Sequence, residues 1–243
     1  MKRILVLGDS ITYGHGCADR MYYWDTKSQR YVGDNTTFVS PSSYCWAQHL
    51  ENKFGYSVTN LAKSGDNNSN MASNCLEAVY KNNQKFDYII ASFTYDDRLE
   101  WAHPDYDYLV SASPLAPPQF LQHQSKSWAT AMKAYRDTLY HPGWGVKLTH
   151  LAINTVANVS KEIGAQFFWS VPEFNQTKSS EMISPALRLR QLPSVIGHCN
   201  LWQNGSMLSS ADSPYCAVDG HPNELAHLDY FQKVITPLFP STN

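Results

Sequence analysis

Four short, nearly continuous apolar runs set the strongest limit on what this chain can fold into. They are Ile4 to Leu7, the stretch YSVTNLA, FDYIIASF at 86–93 and QFFWSV at 166–171, and helical segments lie between them. A run that is apolar at successive positions is buried on both faces, as a strand is inside a parallel sheet covered by helices. In the first long helical segment Trp46, Leu50 and Phe54 recur at helical spacing and Gly55 stops the repeat. Further helices are expected from about Asn70 to Asn82, over roughly 123–140 and 144–163, and from near Asn223 onward. Strands alternating with helices in this way predict an α/β sheet covered on both faces, with ligands at the carboxyl ends of its strands.

With 243 residues, 43% of them hydrophobic and 13% aromatic, the chain can bury one large core, so residues 1–243 are expected to form a single domain. Two loop insertions, at about 17–40 and 99–121, are long enough to suggest a role. No stretch is long and apolar enough to span a bilayer. A formal charge of -2 provides no basic stripe for nucleic acid and no basic amphipathic helix for a membrane surface, so neither partner is expected. The five cysteines are odd in number and form no C-x-x-C pair, which points to reduced thiols and away from a zinc site. The opening MKRILVLGDS has an apolar run of only four residues that leads into a turn, so it reads as a strand and not as a signal peptide. The expected location is the cytoplasm of the cell that makes the chain, unless lysis releases it or a virion packages it.

Chemistry-bearing residues gather where the strands should end. GDSITYG follows the first run, KSGDNNSN the second and FTYDDRLEW the third, while VDGHPNELAH at 218–227 precedes the last helix. A serine hydroxyl becomes a nucleophile when a base takes its proton and donors receive the oxyanion. Ser10 is the candidate nucleophile. His221, fixed by Pro222 and by Asn223 at the helix start, is the candidate base, and Asp219 is placed to accept its other imidazole N–H. The backbone N–H groups of Ser10 and Gly65 and the side-chain amide of Asn68 are the candidate oxyanion donors. Each also has a plain structural reading: Ser10 or Asn68 as a helix cap, and His221 or Gly65 as a turn residue. Tyr22, Tyr23, Trp24 and Tyr31 in the first insertion could stack on a sugar ring or pack the loop onto its own core. No metal or organic cofactor is called for.

Taken together, GDSITYG, the glycine of SGDNN and the Asp/His pair before the last helix resemble the GDSL-like, or SGNH, hydrolase family. The motifs stand in that family's order from the first strand to the last helix. The resemblance implies a flavodoxin-like three-layer α/β/α sandwich with a central, mostly parallel sheet. It also implies metal-independent serine esterase, lipase or carbohydrate-deacylase chemistry on a small-molecule or glycan ester. Ser10 matches the family's nucleophile, Gly65 its oxyanion glycine, and Asp219 and His221 its acid and base. Two departures stand out. Where the family has Gly-x-Asn-Asp after the third strand, this chain has Thr94-Tyr95-Asp96-Asp97. An ionised Asp96 would repel an oxyanion, so the donor role falls to Asn68 or Thr94, or else the site is weakened. FTYDDRLEW looks more like a divergent, signal-less branch of phage and bacterial members, and by that resemblance Arg98 is a substrate-binding candidate; Asp9, Asp96 and Arg98 are the candidate lining residues, although Arg98 could instead join a structural cluster with Glu100 and Trp101. The second departure is that only Gly220 separates Asp219 from His221, and a glycine can let the carboxylate fold back onto the ring. An acyltransferase using the same triad, or a binding protein that kept the fold and lost activity, are the alternatives.

Overall fold

The computed structural model describes residues 1–20, 22–25, 30–33, 40–102, 109–115, 126–172, 183–203 and 206–239. Its elements run β1 (Arg3–Gly8), α1 (Ser10–Tyr13), β2 (Tyr22–Asp25), β3 (Arg30–Gly33), α2 (Trp46–Phe54), β4 (Ser57–Asn60), α3 (Asn68–Leu76), β5 (Tyr88–Ser92), β6 (Leu99–Ala102), β7 (Leu109–Ala112), α4 (Lys126–Thr138), α5 (Pro142–Ile163), β8 (Gln166–Ser170), α6 (Pro185–Arg188), α7 (Val195–His198), β9 (Trp202–Gln203), β10 (Ser206–Met207) and α8 (Glu224–Tyr230).

The central sheet has the order β4, β1, β5, β8, and every pairing in it is parallel. Val6 of β1 pairs with Asn60 on one side and Ile90 on the other. The winding reverses between β1 and β5, which makes their carboxyl ends the switch point of the sheet. Beyond β8 a fifth strand position is reduced to one parallel bridge between Trp169 and Gln191.

Side chains alternate between the two faces of β1, and each face meets its own helical layer. Leu5 and Leu7, with Ile89, Ala91 and Trp169, pack on Met71 and Cys75 of α3 and on Ile153 and Val156 of α5. Ile4 and Val6, with Ile90, pack on Trp46 and Leu50 of α2, Val195 of α7 and Ala226 and Tyr230 of α8. The result is the three-layer α/β/α arrangement with a parallel core that the apolar runs predict. Among the described residues no helix is long and apolar enough to cross a membrane.

Local signals place most of the elements. Gly55, in a left-handed conformation, closes α2 where the apolar repeat stops. α3 starts two residues earlier than its periodicity suggests, because Asn67 caps it, accepting from the Asn70 N–H at 3.0 Å. Asn223 caps α8 by accepting from the N–H groups of Leu225 and Ala226. The two insertions differ from the loops expected of them, since each holds an antiparallel ribbon: β2 with β3, and β6 with β7. At the neck of the first, Arg20 donates to Ser40 O at 3.0 Å and Asp19 accepts from the Ser43 N–H at 2.9 Å, which ties the two ends together. The second is held by Trp101, whose indole donates to Ala112 O and whose ring meets Tyr135 of α4 edge-on at 4.4 Å. The side chains of Tyr22, Tyr23, Trp24 and Tyr31 lie outside the described part of the structure.

The first turn of α5 presses directly on the segment that follows β5. A Cβ placed on Gly145 would lie 1.8 Å from the carbonyl oxygen of Asp96. Gly145→Ala therefore has to displace the Asp96–Asp97 backbone, and overpacking of this kind costs about 1–3 kcal/mol. Urea unfolding should show a lower midpoint at unchanged slope, and an unchanged midpoint would contradict so close an approach.

Candidate active site

β1 delivers Asp9 and Ser10 to the carboxyl rim of the sheet. Asp9, and not Ser10, caps α1: its Oδ1 accepts from the Ile11 N–H at 3.0 Å. With the cap supplied by its neighbour, Ser10 Oγ faces His221 Nε2 at 3.2 Å, joining residues 211 positions apart in sequence.

His221 arrives on the turn ahead of α8. Gly220 has φ +83, a left-handed conformation that a side chain would strain. This bend folds Asp219 back so that its Oδ1 accepts from the His221 backbone N–H at 3.0 Å. The other carboxylate oxygen, Oδ2, lies 3.3 Å from His221 Nδ1. Both of these atoms are buried and neither has an aligned hydrogen-bond partner among the described residues. The shortened Asp–His spacing is thus absorbed at Gly220. Burial pushes the Asp219 carboxyl up, but the His221 ring and backbone N–H outweigh it and hold the group below the usual carboxylate value.

The oxyanion side differs from expectation. The backbone N–H groups of Ser10, in the first turn of α1, and of Gly65, in the turn after β4, have no acceptor among the described residues. Asn68, however, does not aim its amide at them. Its Nδ2 donates to Thr94 O at 3.2 Å and to Thr149 Oγ1 at 2.8 Å, and its Oδ1 accepts from the Thr94 N–H at 2.7 Å. With both amide hydrogens engaged, Asn68 straps α3 to the end of β5 and to α5. The Thr94 hydroxyl is engaged as well, donating to Asp9 Oδ2 at 2.6 Å. Neither side chain is therefore placed as the donor the sequence suggested.

Arg98 lies beside both backbone donors. Its Nη1 is 3.5 Å from Asp9 Oδ2, next to Ser10, and donates at 3.2 Å to the carbonyl of Asp66, next to Gly65. Among the described residues Arg98 pairs with Asp9 and not with Glu100, which accepts from Asn70 Nδ2. Asp96 lies with Asp97 near Tyr140, whose phenol is pushed up to about 12 by burial and then by those two carboxylates.

One group of side chains among the described residues, His198, Cys199 and Asp229, has ligand atoms within 4.8 Å of one another. Asp229 is already ion-paired with Lys233 at 2.7 Å and lies 2.8 Å from His198 Nε2, and burial pushes the Cys199 thiol up to about 12. The group is satisfied without an ion. Two residues without any motif of their own adjoin His221 and Asn68: Thr149, which holds Asn68, and His15, whose ring meets that of His221 at 5.4 Å. Their proximity depends on tertiary packing, which no local pattern encodes.

Two consequences can be measured. Asn68→Ala leaves the buried N–H and C=O of Thr94 without partners, which should cost about 1–3 kcal/mol of stability. A variant of unchanged stability whose turnover falls about 10²-fold would instead restore Asn68 to the oxyanion role. The second consequence is pH-dependent stability. His15 is pushed down to about 4, by burial and then by His221, and the fully buried His227 to about 3, by burial and then by its histidine neighbours. Unfolded, both titrate near about 6.5. Below that pH the unfolded chain binds protons that the folded chain excludes, so stability is full above about pH 6.5 and falls as pH drops toward 4. The urea midpoint should be lower at about pH 5 than at about pH 7.5, with a smaller difference in His15→Phe; a midpoint that rises on acidification would contradict both burials.

No family model matches the chain, and no curated protein matches it. Solved structures do match. One, described as a carbohydrate esterase whose active site displays divergent catalytic and non-catalytic binding functions, aligns at 12% identity with TM-score 0.53, covering 100% of this chain and 69% of its own. An acetyl xylan esterase from the rumen bacterium Butyrivibrio proteoclasticus aligns at 14% identity with TM-score 0.51, covering 96% of this chain and 62% of its own. A GDSL-like lipase from Bacteroides thetaiotaomicron aligns at 11% identity with TM-score 0.50, covering 98% of this chain and 87% of its own. At these identities the likeness is one of fold: the chain shares with these structures an α/β architecture built on a central parallel sheet.

Proposed function

We propose that the chain is a serine esterase of the SGNH type. The observation that carries this reading is the 3.2 Å approach of Ser10 Oγ to His221 Nε2, with Asp219 behind the imidazole, at the switch point of a parallel sheet. In the mechanism, Ser10 Oγ attacks the ester carbonyl while His221 Nε2 takes its proton, and Asp219 stabilises the imidazolium that results. The N–H groups of Ser10 and Gly65 receive the oxyanion. His221 then protonates the departing alkoxide, leaving an acyl group on Ser10, and water repeats the sequence with His221 again as base. No step calls for a metal. The acyl group is small, such as an acetyl on a glycan; the acetyl xylan and carbohydrate esterases that share the fold support this choice.

A second reading, a binding protein with weak or absent catalysis, draws on the engaged side chains of Asn68 and Thr94. Losing one oxyanion donor costs about 10²–10³ in rate, so a site with two backbone donors is a slower esterase or none. A fluorophosphonate probe separates the two readings. The esterase reading expects wild-type protein to label on serine, Ser10→Ala not to label and His221→Ala to label far more slowly, with all three folded. Folded wild-type protein that does not label would favour the binding reading.

A further inference from the structure

The tripeptide Gly14-His15-Gly16 touches the residues of the proposed triad on more than one side. The His15 backbone N–H donates to the carbonyl of Ser10 at 3.0 Å. Gly16, at φ +92, lies so close to the turn that carries the base that an added Cβ would stand 2.6 Å from Pro222 O and 2.9 Å from His221 Cβ. Between these two contacts the buried His15 ring meets the His221 ring at 5.4 Å with an interplanar angle of 77°, and it meets Tyr13 edge-on at 5.3 Å on another side. Its Nδ1 lies 3.3 Å from Ser64 Oγ, one residue before Gly65.

We propose that His15 is a positioning residue, a buried imidazole wedged between the Ser64–Gly65 turn and His221 that holds the His221 ring toward Ser10. The proposal rests on the esterase reading and deepens it. A serine–histidine pair works only when the imidazole nitrogen is held in line with the hydroxyl, and a displacement of about 1 Å can cost about 10²-fold in rate. Asp219 restrains His221 from its Nδ1 side. The Pro222 turn restrains its backbone, and His15 supplies the remaining restraint on the ring itself. The ionisable groups that act on His15 are His221, Asp219 and Arg20, and burial dominates them, so His15 is neutral at neutral pH. A neutral ring tolerates the imidazolium that forms on His221 during acyl transfer, whereas a charged side chain in its place would repel it.

The test compares His15→Phe, which keeps a ring against His221, with His15→Gln, which keeps a polar atom for Ser64 and loses the ring. Hydrolysis of p-nitrophenyl acetate gives kcat and KM, the rate of fluorophosphonate labelling reports the reactivity of Ser10, and thermal melts report folding. We expect His15→Gln to lower kcat and the labelling rate by about 10- to 100-fold with KM within about twofold, and His15→Phe to retain more of both. A His15→Gln enzyme as fast as wild type, one faster than His15→Phe, or a loss carried wholly by KM would overturn the proposal. If His15→Gln does not fold, Ser64→Ala removes only the exposed partner of the 3.3 Å contact. It should lower kcat by about threefold or more, and an unchanged kcat would overturn the proposal. Wild-type protein that neither turns over nor labels would overturn the esterase reading and this proposal together. Wild-type protein that labels no faster than His15→Gln would overturn this one alone.

Discussion

The parallel pairing of β1 on both of its edges is the constraint on which the site depends. Ile4, Leu5, Val6 and Leu7 are each fully buried, two against each helical layer, and full burial of such side chains stabilises by about 1.5–3 kcal/mol apiece. A strand anchored this firmly leaves little freedom at its end. Ser10, three residues beyond Leu7, is therefore presented by the rigid middle of the sheet and not by a mobile loop, which suits a nucleophile that must meet a base from the other end of the chain.

Around that strand end the protein builds a buried polar hub. Asp9 is almost completely buried, and a buried carboxylate has to be satisfied. It receives the Ile11 N–H, the Thr94 hydroxyl and the Arg98 guanidinium, joining the ends of β1 and β5. Asn68 then fixes the Thr94 backbone from α3, and Thr149 fixes Asn68 from α5. The Asn68 amide and the Thr94 hydroxyl are both engaged in holding this hub together. They tie the ends of β1 and β5 to α3 and α5, and Arg98 approaches Asp9 and Asp66, the neighbours of the two proposed backbone donors.

How much of this is legible in the sequence follows from how local each signal is. The strands are legible because burial on both faces writes a continuous apolar run, and α2 and α8 because their caps and stops are local. Gly220 announces the bend that lets Asp219 meet His221. The roles of Asn68 and Thr94 are not legible, since they are settled by Thr149 and Asp9, residues 81 and 85 positions away. Asp9 as the helix cap is a near miss of the same kind, because Gly-Asp-Ser offers two capping residues and only the fold decides that Asp9 turns inward. The ribbons in the two insertions escape notice because short two-stranded pairs carry little periodicity, and His15 because a lone histidine between glycines gives no sign of what it will pack against.

The central claim is that Ser10 carries the acyl group between two half-reactions. Wild-type protein mixed rapidly with p-nitrophenyl acetate, acid-quenched and digested, can be read by peptide mass spectrometry for the site of acetylation. The account predicts a burst of nitrophenolate and an acetyl group on the peptide that contains Ser10, both lost in Ser10→Ala. Acetylation at another residue, or turnover that persists in Ser10→Ala, would contradict it.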